Sequence, residues 1–428
     1  MAKNRPLVDV GIYYISTAIN QAVPFLLLPV ITIYLLPGDF GFINTFSSLL
    51  VIATSVFNGL SVTINKSFYS KSADYNRQLI GNLYLVLGMG TILIMALFLA
   101  LVNLLDIRFI PKRYFLAIPI ISFFFMSMEF LKNFFKTAKK TLAFTMLTFS
   151  EVLMNISISL VLVIGFSWHW QGRVAGIMLS TVIFGLIALL FLILREKIVF
   201  SFKTTMIREI LKLTLPFIPL GLGVMVMRRS GVLFIDASLG KVEAGLYGVA
   251  MNLATVILFL SVPLINVWTP HIYEKLSRHS SVNDLKPLYY KVLLLSYATL
   301  FLSLIFSLFS DQVLALMTTA AFSRAGRFIP WLAFGFCLWV MTALLTPFLV
   351  HFNRQKQIAL IASGSAIVNV CLNYYLIRRF GAIGAAVSFF AANLLAALIM
   401  FATVRHIGNF PIFPNYRLLL NEARGFLK

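Results

Sequence analysis

The sequence predicts an all-α membrane protein, with about twelve transmembrane helices in two pseudo-symmetric six-helix bundles. Three observations lead there. The 428 residues are 60% hydrophobic and 11% charged, with a mean hydropathy of +0.93, far outside the range of water-soluble domains. Apolar runs of spanning length follow one another with little between them. The two halves of the chain also resemble each other at a nearly constant offset.

The runs fall at roughly 10–36, 40–65, 79–104, 114–131, 142–166, 174–194, 213–236, 243–270, 288–309, 328–350, 358–377 and 382–404. Lys3 and Arg5 precede the first, as in a signal peptide. That run is too long for such a peptide, carries Pro24 and Pro29 and lacks a small-x-small cleavage site, so it reads as a retained helix.

The formal net charge of +21 raises the question of nucleic acid. With the N-terminus inside, 24 Lys and Arg fall in inward-facing segments and nine in outward ones, Arg173 among the nine. The positive-inside rule then places both termini in the cytoplasm, accounts for most of the charge and removes the nucleic-acid reading. The expected location is the cytoplasmic (inner) membrane. The only cysteines, Cys337 and Cys371, lie in apolar runs, so neither a disulfide framework nor a Cys-rich metal site is expected.

At an offset of 204, Gly41-Phe42-Ile43 matches Gly245-Leu246-Tyr247 and Tyr69-Ser70-Lys71 matches Tyr273-Glu274-Lys275. Asn155 with Gly172 and Gly176 corresponds to Asn369 with Gly381 and Gly384. Residues 1–200 and 205–428 therefore read as copies with six spans each. An even number makes them parallel repeats, an arrangement that commonly encloses a cavity near the midplane. Pro24 with Pro29, and Pro216 with Pro219, put a proline pair in the leading helix of each half, where each proline is expected to bend its helix.

The apolar stretch Thr214–Gly240 contains Arg228 and Arg229 side by side. Counted from Lys212, Arg228 lies roughly 24 Å along a helix, in or near the far part of a hydrocarbon core of about 30 Å. A charge there costs about 2.5–3.5 kcal/mol and calls for a partner or a wet cavity. The planar guanidinium fork suits a phosphate, so the pair is a candidate anion site. The alternative is a static ion pair with Glu151 or Asp236.

Glu151, with Asn155 one turn further on the same face, is either a counter-ion for the Arg pair or a carboxylate that exchanges a coupling proton. Glu129 and Lys132 stand at i and i+3, the spacing of an intrahelical pair. Lys66 ends the second run, where it either snorkels or admits an anion. Asn20, Gln21, Asn58 and Asn65 are candidate sugar or cavity contacts, or helix-to-helix glue.

The five histidines form no metal constellation, and neither a Walker A motif nor a Gly-x-Ser-x-Gly elbow is present. The outward loops are too short to hold a catalytic domain, so an enzyme is not expected, and no metal or cofactor beyond a coupling H+ or Na+.

Several of these stretches carry a family resemblance. Leu28-Pro29-Val30 with Tyr34-Leu35, Asp39-Phe40-Gly41, Gly59 and Lys66-Ser67-Phe68-Tyr69 make up the opening. They are joined by Leu215-Pro216, by Leu239-Gly240 with Glu243-Ala244-Gly245-Leu246-Tyr247, and by Asn369, Asn373-Tyr374, Gly381 and Gly384. Together they resemble the Wzx-type O-antigen flippases of the multidrug/oligosaccharidyl-lipid/polysaccharide exporter superfamily. Where that family has an Asp-Arg pair in its seventh helix, this chain has Gly231-Val232, and its basic pair lies one turn earlier.

The resemblance implies two six-helix bundles around a cationic cavity. It also implies transfer of an undecaprenyl-diphosphate-linked oligosaccharide, such as an O-antigen repeat unit for lipopolysaccharide, to the outer leaflet. The partners it implies are that glycan, membrane lipid, and a glycan polymerase with chain-length proteins, around a monomeric carrier. A cation-coupled multidrug exporter and a lipid II-type flippase are the alternatives within the superfamily.

A C-terminal green fluorescent protein fusion should fluoresce in cells, while alkaline phosphatase at the same point should be inactive. The reverse result would invert the orientation.

Overall fold

Apolar side chains in a bilayer leave the backbone as the only polar matter, and helices satisfy it segment by segment. The computed structural model describes residues 25, 27–68, 72–104, 110–278 and 285–408, and every regular element among them is helical. The chain divides into two compact units, Met1–Gly245 and Leu246–Lys428. This packing boundary lies one span later than the repeat boundary at 200–205.

The first unit holds α1 (27–34), α2 (Pro37–Ser55), α3 (Asn58–Phe68), α4 (Ala73–Leu104), α5 (Lys112–Thr137) and α6 (Thr141–Leu160). A π turn, Val161–Gly165, extends α6. Then come α7 (His169–Leu194), α8 (Thr204–Thr214), α9 (Phe217–Leu239) and the start of α10 (Lys241–Ala254). The second unit continues with α11 (Val256–Arg278), α12 (Lys286–Leu308), α13 (Ser310–Met317) and a 3-10 segment, Ala320–Phe328. It ends with α14 (Ile329–His351), α15 (Gln355–Phe380) and α16 (Ile383–Gly408).

Ten helices among the described residues are long and apolar enough to cross a membrane, and they coincide with the third to twelfth expected runs. The first run lies mostly outside the described residues. The second, 40–65, is not one helix: α2 and α3 part at Val56 and Phe57. Just before the break, the hydroxyls of Thr54 and Ser55 donate to the carbonyls of Val51 and Ile52, the local bonding that competes with helix continuation.

The proline expectation needs correcting in the second half. A separate amphipathic helix, α8, precedes α9, so Pro216 caps α9 and Pro219 stands in its first turn. A missing N–H costs nothing there, and these prolines start the helix rather than bend it.

In the first unit α5 is central, packing against α2, α3, α4, α6 and α7. Leu83, Leu87, Phe130, Leu192 and Ile210 are among its fully covered residues. In the second, α14 packs against α11, α12, α15 and α16, burying Phe336, Phe348 and Phe389. Ile92, Leu93 and Leu97 on α4 stay exposed, as residues that face lipid do.

The starts of α2 and α10 meet reciprocally. A Cβ on Gly245 would overlap the carbonyl oxygen of Pro37, and one on Gly41 would overlap that of Lys241. At the 204-residue offset Pro37 is the counterpart of Lys241, and Gly41 of Gly245. The two helix starts thus touch backbone to backbone, as only glycine allows. Forcing a larger side chain into such packing costs roughly 1–3 kcal/mol or more. Gly245→Leu and Gly41→Leu should each lower the melting temperature of the purified protein by several degrees, whereas Gly88→Leu, at a position open to space, should leave it unchanged.

Candidate functional site

α9 begins at Phe217, not at Lys212, and this moves the Arg pair. Arg228 is the middle residue of the 23-residue helix, roughly 16 Å from either end, so it sits near the bilayer midplane rather than in its far part. Gly221, seven residues earlier on the same stripe, meets the Ser55 carbonyl and the Asn58 amide where α2 and α3 part. Arg228 therefore lies on the stripe of α9 that faces α2, and Arg229 is turned about 100° away from it. Both are half-buried.

The nearby carboxylates take other partners. Asp236 is buried and accepts from the Thr45 hydroxyl at 2.6 Å and from Lys241 Nζ. Lys241 in turn lies over the Phe42 ring at 4.3 Å. This cluster ties the C-terminal end of α9 and the start of α10 to α2.

Glu151 accepts from Lys132 Nζ at 2.9 Å, which joins α6 to α5. The expectation of Glu151 as counter-ion for the Arg pair is thus corrected: its cation is Lys132. Lys132 also donates to Glu129 at 3.2 Å, the expected i,i+3 pair. One nearly buried ammonium thus stands between two carboxylates.

Asn155, one turn beyond Glu151, bridges to α7. Its Nδ2 donates to Ser180 Oγ at 3.0 Å, and its Oδ1 accepts from Arg173 Nη1 at 2.5 Å. Arg173 also donates to Ser159 Oγ at 2.6 Å. Arg173 is therefore inside α7 and not in an outward loop, which corrects its place in the charge count. Gly172 and Gly176 flank it, and Cβ atoms there would overlap the Leu162 backbone and Ser159, so α7 runs against α6 at close range. The sequence carried the signal: an Arg inside a Gly-x-x-x-Gly frame has its neighbours on a packed helix, not in a loop.

Asn58 opens α3 and is exposed. Asn65 and Lys66 lie further along α3, but their side chains, like Asn20 and Gln21 as a whole, are outside the described residues. Among the described residues no group of His, Cys, Asp and Glu is placed to hold a metal.

A family model described as polysaccharide biosynthesis protein matches residues 7–276. This chain belongs to that polysaccharide biosynthesis family. An inward-facing multidrug resistance MATE transporter of the MOP superfamily superposes on this family member with a TM-score of 0.69 at 14% identity, covering 92% of this chain and 94% of its own. The lipid II flippase MurJ, in an inward closed conformation, gives 0.68 at 12% identity, covering 96% and 90%. A MOP superfamily transporter from Pyrococcus furiosus, described by the reversed polarity of its binding pocket, gives 0.59 at 16% identity, covering 94% and 95%. No curated protein matches this chain significantly in sequence. The fold is that of a multi-pass membrane transporter, and the three solved structures named above are two transporters and a flippase.

Breaking the Lys132 bridge leaves two carboxylates facing each other in a poorly solvated place, a loss of roughly 3 kcal/mol where such pairs are buried. Lys132→Met should lower the melting temperature in detergent, and Lys132→Met with Glu151→Gln should regain most of the loss. A melting temperature of Lys132→Met equal to that of the unaltered protein would show the bridge to be idle.

Proposed function

We propose that this chain is a flippase carrying a polyprenyl-diphosphate-linked oligosaccharide, such as an O-antigen repeat unit, from the cytoplasmic to the outer leaflet of the inner membrane. The observation that carries the reading is the adjacent Arg228 and Arg229 at the middle of an apolar helix, in a member of the polysaccharide biosynthesis family. A diphosphate offers two anionic groups, and guanidinium forks match them in charge and geometry. MurJ, a lipid II flippase, shares the fold, which supports a lipid-linked substrate. In this reading the sugar-diphosphate head passes through a wet interior while the lipid tail stays in the bilayer. The two repeats alternate their access, driven by H+ or Na+.

The competing reading is a multidrug exporter like the MATE transporters. A cavity built for cationic drugs calls for acids, and Asp236, Glu129 and Glu151 are all engaged by lysines.

The test is export of the lipid-linked glycan in a strain that depends on this gene. Arg228→Ala with Arg229→Ala, at normal membrane abundance, should reduce glycan display at least tenfold and leave drug susceptibility unchanged. Full display in the double variant would refute the reading, and a gain in drug susceptibility would favour the exporter.

A further inference from the structure

Arg173 is an incompletely partnered guanidinium among the described residues. Of its five N–H groups, only those on Nη1 have protein acceptors: Asn155 Oδ1 and Ser159 Oγ. Both acceptors are neutral. No carboxylate reaches it among the described residues, and Glu151, one helical turn from Asn155, is held by Lys132. Among the described residues, the three donors on Nε and Nη2 have no hydrogen-bond partner, on a helix of spanning length.

A cation left so in low dielectric is costly, and the cost falls when an anion arrives. The residue as a whole is half-buried. Its Nη1 side is fixed. Gly172 and Gly176 bring α7 against α6, and Asn155, itself held by Ser180, takes Nη1 at a set angle. That is a preorganised fork, part of its entropy already lost, with Nε–H and one Nη2–H as two further parallel donors.

Depth narrows the ligand. Arg173 stands four residues into the 26-residue α7, roughly 6 Å from the helix end. In a helix that exceeds the ~30 Å hydrocarbon core, this is the level of the headgroup boundary, where lipid phosphates lie.

We propose that Arg173, braced by Asn155 and Ser159, is an anion-binding site that takes a phosphate of a lipid headgroup, separate from the Arg228–Arg229 pair. The phosphate comes either from a resident anionic phospholipid or from the diphosphate of a polyprenyl-linked substrate. The site holds whether or not the chain flips a glycan.

The experiment is a thermal-shift titration of the full chain in phosphatidylcholine nanodiscs. The probes are phosphatidylglycerol, undecaprenyl diphosphate and uncharged undecaprenol. At least one phosphate lipid should raise the melting temperature of the unaltered protein, and undecaprenol should not. Arg173→Gln should lose at least half of that shift, while Arg173→Lys, which keeps the charge, should retain more of it. Response to phosphatidylglycerol assigns the resident lipid; response to the diphosphate alone assigns the substrate headgroup.

Should Arg173→Gln fail to fold, Asn155→Asp serves in its place. It sets a carboxylate against the guanidinium, and should raise the basal melting temperature and abolish the phosphate response. Two results overturn the site: no response to either phosphate lipid, or a full response in folded Arg173→Gln (in Asn155→Asp, where Arg173→Gln does not fold). The Arg228→Ala, Arg229→Ala variant separates the sites. A shift that vanishes there and survives in Arg173→Gln belongs to the pair and also overturns the proposal.

Discussion

Inside a bilayer an ionised side chain has no water to fall back on, and most of the polar structure of this chain follows from that constraint. Lys132 sits between Glu129 and Glu151, and Asp236 between Thr45 and Lys241. Each cluster joins helices that apolar packing alone would leave free to slide, since lipid tails solvate Leu as well as a neighbouring helix does. The Lys132 trio links α5 to α6, and the Asp236 cluster links α9 and α10 to α2. Pairing charge and locating helices are one operation here.

The same constraint separates structural charges from functional ones. Carboxylates with a lysine at hydrogen-bond distance are paired locally and act as fasteners. Arg173 is served, among the described residues, by an amide and a hydroxyl and by no carboxylate. The difference is invisible in composition, because all of these residues are equally rare in apolar helices. It appears only when partners are traced one by one.

What the sequence made legible was whatever depends on local pattern. Run length marked the third to twelfth spans, and the i,i+3 spacing of Glu129 and Lys132 announced their pair. Features set by distant neighbours were not legible. Lys132 and Glu151 are 19 residues apart, on different helices, so no spacing rule joins them. The apolar run 213–236 hid the start of α9, because α8 ends in the residues that open the run; this displaced Arg228 from the midplane to the far side. The break after Ser55 was masked by an unbroken apolar pattern through Val56 and Phe57. Arg173 was misplaced because a charge near a span end resembles a loop residue until the glycines around it are read as a helix contact.

The glycine contact between α2 and α10 carries one more implication. Each helix start supplies the carbonyl that fills the space above the other's glycine, so the interface is self-complementary in the manner of a two-fold dimer. Neither position can drift independently. A methyl gained on one side strikes the opposite backbone and is not relieved by shrinking the opposite residue, which is already glycine. Enlarging either residue therefore requires the two helix starts to move apart together, and with them the Lys241 ammonium that lies over the Phe42 ring.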